Sequence, residues 1–197
     1  MNTLFSHVCV VTMDERMSVW TDAFVGVTDG KISYLSKHAP EEKPAQIIDA
    51  TGMVLMPGLI NCHTHLPMQL LRGYADDLKL QEWLNDYIFP REDRLDGRCV
   101  RAATTLAVAE CLKFGVTSVS DMYYFCDDIC DVFAKSGIKA NISRGTSMFL
   151  GDDFDFEKFP ACQELVALKN KWHNFDGGRI KIEASIHAEY TSTYQLW

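Results

Sequence analysis

Apolar and polar positions change rhythm once along the chain, at Pro57. Before it, short runs with turn signals between them predict strands at residues 8–12, 23–28 and 31–36, the last two joined by the hairpin signal Asp29-Gly30. A further extended stretch covers residues 47–55 and is interrupted at Thr51-Gly52. This is a small β unit over residues 1–56, with no helical period.

From Pro57 onward strands alternate with helices. An apolar strand at 59–62 is followed by an aromatic-rich helix at 80–89, closed by Pro90. The clearest helix runs over 96–114, with Val100, Ala103, Thr104, Ala107, Val108, Cys111 and Leu112 on one face and Gly115 as its stop. Then come a strand at 116–120, a helix at 127–136 ended by Gly137, a strand at 139–143 and a helix at 157–172. Asp176-Gly177-Gly178 turns the chain into a strand at 179–186, and residues 191–197 read as the opening of a fourth helix. Alternation of this length predicts an α/β fold with a parallel sheet. Residues 57–197 supply about four βα units, half of a (β/α)8 TIM-type barrel that takes roughly 250 residues. A four-stranded piece of such a barrel has two open edges and should expose apolar surface at Ile60, along 116–119 and at Ile180, Ile182 and Ile186.

In a parallel barrel, chemistry sits at the carboxyl ends of the strands. His63 and His65, Asp121, Arg144 and His187 all fall there. On its own, His187 reads as a hydrogen-bonded structural histidine and Asp121 as a cap for the following turn. The pair His63 and His65 is different. Spaced i, i+2 on a strand, both point to one side, while Cys62 and Thr64 point to the other. Two neutral imidazoles so placed suit one metal ion, although a zinc-type site wants three protein ligands and a water. Cys126 and Cys130, one helical turn apart, read as a half-buried helix start, since a zinc ribbon needs a second close pair.

Composition narrows the partners. A formal charge of −8 argues against a nucleic-acid backbone or an anionic membrane surface. No apolar run is long enough to span a bilayer, and the first residues lack the basic start and apolar core of a signal peptide. Seven scattered cysteines suit reduced thiols in a cytoplasm rather than a disulfide framework.

The stretch Pro57-Gly58-Leu59-Ile60-Asn61-Cys62-His63-Thr64-His65-Leu66-Pro67-Met68-Gln69-Leu70-Leu71-Arg72-Gly73-Tyr74 resembles the amidohydrolase superfamily. More narrowly it resembles the 5-methylthioadenosine/S-adenosylhomocysteine deaminase and chlorohydrolase branch. The similarity continues through Glu82-Trp83-Leu84, Pro90-Arg91-Glu92-Asp93-Arg94-Leu95, Gly115-Val116-Thr117, Asp121-Met122-Tyr123, Ser143-Arg144-Gly145 and His187-Ala188-Glu189-Tyr190-Thr191. The resemblance implies a (β/α)8 barrel flanked by a β-sandwich, with residues 1–56 as part of the sandwich and 57–197 as the first half of the barrel. It implies one divalent metal, zinc foremost and iron as the alternative, with His63 and His65 as two of its ligands. It places Glu92 on the ribose hydroxyls, Arg144 on the substrate's tail and His187 on the purine ring, not on the metal. The proton-shuttling glutamate and the metal-ligating aspartate of the family have no counterpart here and are expected beyond Trp197, which leaves no catalytic residue within the chain.

The activity so implied is hydrolytic deamination of adenosine derivatives with release of ammonia. A metal lowers the pKa of bound water from 15.7 toward ~7, giving a hydroxide that attacks the amine-bearing carbon. The partner is a purine-nucleoside-like small molecule, with no nucleic acid or membrane and self-association left open. The enzymatic alternative is another member of the branch, acting on guanine, cytosine or an s-triazine. The alternative from another class is a non-catalytic fragment, and the chain alone is expected to be inactive. Residues 145–178 contain no arginine to add to Arg144, which speaks for small adenosine derivatives over homocysteine-bearing ones.

Overall fold

Strict alternation builds the first of the two units into which the chain divides, Met1–Gly58 and Leu59–Trp197. The computed structural model describes residues 1–149 and 154–197. Along β1 (Thr3–Val11) every second side chain, Leu4, Ser6, Val8 and Val10, is buried. It runs antiparallel to β2 (Val19–Thr28) and parallel to β4 (Gln46–Asp49) and β5 (Val54–Leu55). β2 is antiparallel to β3 (Lys31–Ser36), and the sheet order is β3-β2-β1-β4. Asp29 (φ 49°) and Gly30 (φ 73°) are both left-handed, as a two-residue hairpin requires. β1 starts well before the apolar run at 8–12. The register slips between Phe5 and Val8, where left-handed His7 (φ 58°) meets left-handed Asp22 (φ 54°) at 2.7 Å. Burial still alternates through that bulge, but the polar Ser6 and His7 interrupt the apolar run and hide the strand's first half from a sequence reading.

The second unit is a parallel sheet in the order β6 (Leu59–Thr64), β7 (Val116–Tyr123), β8 (Lys139–Thr146), β9 (Ile180–Ile186). Ahead of β7 lie α1 (Leu80–Glu82), a π-helical turn over Trp83–Ile88, α2 (Phe89–Glu92) and α3 (Gly97–Lys113). α4 (Cys126–Ser136) and α5 (Pro160–Trp172) make the other two crossovers. Asp96 caps α3, its side chain accepting from the Cys99 amide at 2.7 Å, and Gly137 (φ 81°) ends α4. Arg179 closes the same end of α4, donating to the carbonyls of Phe133 (2.9 Å), Ile138 (3.0 Å) and Ala134 (3.1 Å). The core lies between helices and sheet, with Val100, Ile129 and Phe133 packed among Val119, Ile142 and Ile180. Among the described residues no helix is long and apolar enough to cross a membrane.

Several expectations are corrected. Pro90 does not close the helix that begins at Leu80; it opens α2, where a proline's missing N–H is tolerated. β7 and β8 run on past residues 120 and 143, so Asp121 and Arg144 lie inside strands and not after them. α5 starts at Pro160, not at 157, and residues 192–197 hold one turn, at 194–196, and not a fourth helix. Cys126 and Cys130 are wholly buried in α4, where burial pushes the Cys130 thiol up to about 12. All seven thiols are free. Val119, Ile180 and Ile182 are also buried, under the helices; the alternate positions Ser118, Ser120, Asn141, Ser143, Lys181 and Glu183 are polar. Of the strand residues expected to expose apolar surface, Ile60 does so most, at 67%.

Candidate active site

The carboxyl ends of β6 to β9 gather the polar residues. Thr64 turns into the helix-covered side of the sheet, where its Oγ1 donates to Asp121 Oδ1 at 2.9 Å. Alternation then puts His63 and His65 on the other side. Their rings stand edge to face with centroids 5.1 Å apart. His65 Nδ1 is 2.8 Å from the Met122 carbonyl, a contact that fixes the ring and leaves Nε2 for a ligand.

Asp121 does not cap the turn after its own strand. Its Oδ1 also accepts from the Leu66 amide at 3.0 Å, so it ties the end of β6 to β7. The carboxyl is 2% exposed, and Oδ2 has no hydrogen-bond partner. Burial pushes Asp121 up to about 6, with the Leu66 amide and the Thr64 hydroxyl opposing. A carboxyl raised in the fold from 3.8 to about 6 binds more proton folded than unfolded between those values. Its contribution to stability is therefore present at low pH and declines as pH rises through about 6, by up to about 3 kcal/mol. Asp121→Asn keeps an acceptor and removes the titration. With a chelator present, the fall in urea midpoint between about pH 5 and about pH 8 should be smaller in the variant. An unchanged fall would mean that Asp121 is not the group responsible.

Glu92, Arg144 and His187 line one pocket of about 470 Å³. Glu92, His65 and His187 line an adjoining one of about 150 Å³, and the two share Phe89, Glu92, Tyr124 and His187. His63 lines neither. Glu92 Oε1 accepts from the Tyr123 hydroxyl at 2.6 Å; burial raises the Glu92 carboxyl and that donor opposes the rise. His187 shares a hydrogen bond between Nδ1 and Thr191 Oγ1 at 2.8 Å. Burial, with His65 nearby, lowers His187 and favours its neutral ring. Arg144 donates from Nε to Glu164 Oε2 at 2.6 Å and lies with its guanidinium carbon 4.7 Å from the Tyr124 ring centroid.

Tyr123, Tyr124 and Glu164 were missed by sequence reasoning. The two tyrosines follow Asp121-Met122 at a strand end, which is a signal. Glu164 lies mid-helix and looks like a solvated charge, so nothing local marks it. As a metal holder, the histidine pair fits two positions of a four-coordinate zinc shell. Among the described residues no cluster of three His, Cys, Asp or Glu completes it.

The profile of the amidohydrolase family matches residues 54–196. The chain belongs to this family. Among amidohydrolases it is 38% identical over 177 residues to a 5'-deoxyadenosine deaminase of Methanosphaera stadtmanae, covering 88% of this chain and 40% of the relative. It is 35% identical to a 5-methylthioadenosine/S-adenosylhomocysteine deaminase of Thermoanaerobacter pseudethanolicus, covering 97% and 44%. A crystal structure of an adenosine deaminase from Xanthomonas campestris with bound zinc superposes with a TM-score of 0.85 at 32% identity, covering 98% of this chain and 44% of that one. Atrazine chlorohydrolase from Arthrobacter aurescens, complexed with zinc, shares the fold (TM-score 0.80, 22% identity, 92% and 46% covered). The chain thus spans less than half the length of these amidohydrolases.

Proposed function

We propose that this chain is the nucleoside-binding part of a metal-dependent deaminase of adenosine derivatives, with β6–β9 as four strands of a (β/α)8 barrel and the β1–β5 sheet as part of a β-sandwich. The observation that carries the reading is the convergence of Glu92, Arg144 and His187 on one pocket, with His65 lining its neighbour. The deaminase names of relatives at 35–38% identity support the same substrate class.

His63 and His65 hold one divalent metal, zinc first, through ring nitrogens. A metal there supplies water activated for attack at neutral pH. The chain's own groups bind and orient. Glu92, steadied by Tyr123, accepts from the ribose hydroxyls through its carboxylate. His187 remains neutral, and with Nδ1 held by Thr191 its Nε2 is left to meet a purine ring nitrogen. Met68, Trp83 and Ile88 give the smaller pocket an apolar wall for a flat base.

The test is a binding panel on the 197-residue protein, with 5'-deoxyadenosine, cytidine and atrazine as ligands. The adenine nucleoside should bind best, and Glu92→Gln and His187→Ala should each weaken it by about tenfold or more. Equal binding across the panel would reject the reading. Ammonia release is expected to be absent, since no described side chains complete the metal shell. Turnover by this chain would show that its own residues suffice.

A further inference from the structure

Arg144 enters the larger pocket already engaged. Glu164 takes its Nε hydrogen at 2.6 Å, the Gly145 carbonyl takes one from Nη1, and the Tyr124 ring covers a face of the guanidinium. Arginine grips a carboxylate best through two parallel N–H groups, and Glu164 already takes the Nε hydrogen of one such pair. The Arg144–Glu164 pair is partly buried, with side-chain exposures of 18% and 36%. An incoming carboxylate would be left the remaining Nη hydrogens, and there it would meet a guanidinium already neutralised by Glu164 and the repulsion of that second carboxylate. Its surroundings are unfavourable as well. Glu92, Asp93 and Glu164 all line the pocket, and Arg144 is the sole Lys or Arg among the described lining residues.

We propose that Glu164 is a specificity-determining residue: by occupying Arg144 it excludes nucleosides with an anionic 5′ substituent and admits those with a neutral one. The proposal rests on the nucleoside reading above and adds to it the chemistry of the tail. Nothing in residues 145–178 offsets the effect with another arginine.

The test compares 5'-methylthioadenosine with 5'-(2-carboxyethylthio)-5'-deoxyadenosine, which adds a carboxylate and no compensating ammonium group. By titration calorimetry the unaltered 197-residue protein should bind the anionic thioether at least about tenfold more weakly. Glu164→Gln keeps an acceptor for Arg144 Nε and drops the charge, and should bring the ratio to within about threefold. If Glu164 only props Arg144 in place, the variant shifts both affinities together and leaves the ratio unmoved. The unaltered protein gives a second measurement that needs no variant to fold. Raising salt to about 1 M shortens the screening length to about 3 Å and should narrow the ratio in the same direction. Nucleosides that bind with equal affinity, or a ratio that neither Glu164→Gln nor salt moves, would overturn the proposal and leave the nucleoside reading standing. Failure of both nucleosides to bind would overturn the two together.

Discussion

Titration of zinc into the protein is expected to show weak binding that needs His63 and His65 together, each alanine replacement lowering it by about 100-fold or to below detection. Loss of an outer hydrogen bond to a metal ligand already lowers affinity 10- to 100-fold, so about 100-fold is a floor for the ligand itself. The binding is weak because two imidazoles leave half of a tetrahedral shell to water, whereas closed zinc-finger sites reach about 10–16 kcal/mol. The rival donors are thiols. Cys126 and Cys130 are the closest pair in sequence, but both are buried and their thiols are pushed up by burial, which opposes the thiolate a metal requires. Stoichiometric tight zinc that survives both histidine changes would move the site to cysteine and remove the main support for a metal-dependent reading.

The second large effect is expected in solution association. β6 is an edge of its sheet, with Leu59 52% and Ile60 67% exposed. Parallel sheets are normally covered on both faces, and an open edge invites another strand. Burying one isoleucine is worth about 1.5–3 kcal/mol, and a two-fold pairing buries it twice. Ile60→Glu should therefore weaken self-association by at least about 100-fold, read by sedimentation equilibrium. A compact monomer with a sharp thermal transition before any substitution would show that β6 needs no cover.

Much of the second unit was legible in the sequence because helices and glycines announce themselves. The α3 face named from periodicity is buried at Val100, Ala103, Thr104, Ala107 and Val108, and Gly115 and Gly137 stop their helices with φ near 80°. Strand ends were less legible. Asp121 and Arg144 are polar, so the reading stopped short of them, yet the ladder carries them on because each has a partner: Thr64 and Leu66 for Asp121, Glu164 for Arg144. Such partners come from distant positions, and local pattern cannot see them. The candidate site residues were named from strand-end position and family resemblance, while the contacts made by two of them, Tyr123 on Glu92 and Tyr124 under Arg144, emerge only in three dimensions.

The strand that carries the two histidines is also the one whose pairing closes across the longest stretch of chain. Leu59 pairs with Val116, whereas Ser118 pairs with Lys139 and Ala140 with Ile180. Each doubling of a closed loop adds about 0.6 kcal/mol of entropy to overcome. The β6–β7 ladder is interrupted twice, between Leu59 and Ile60 and between Asn61 and Thr64. β6 should therefore dock late during folding and open first afterwards, so that its amides exchange with solvent faster than those of β7 and β8. Docking gives His65 the Met122 carbonyl that fixes its ring, so an ion held by His63 and His65 would favour the docked strand and act as a latch on the last step of folding, by as much as the fixed ring binds it better than the free one.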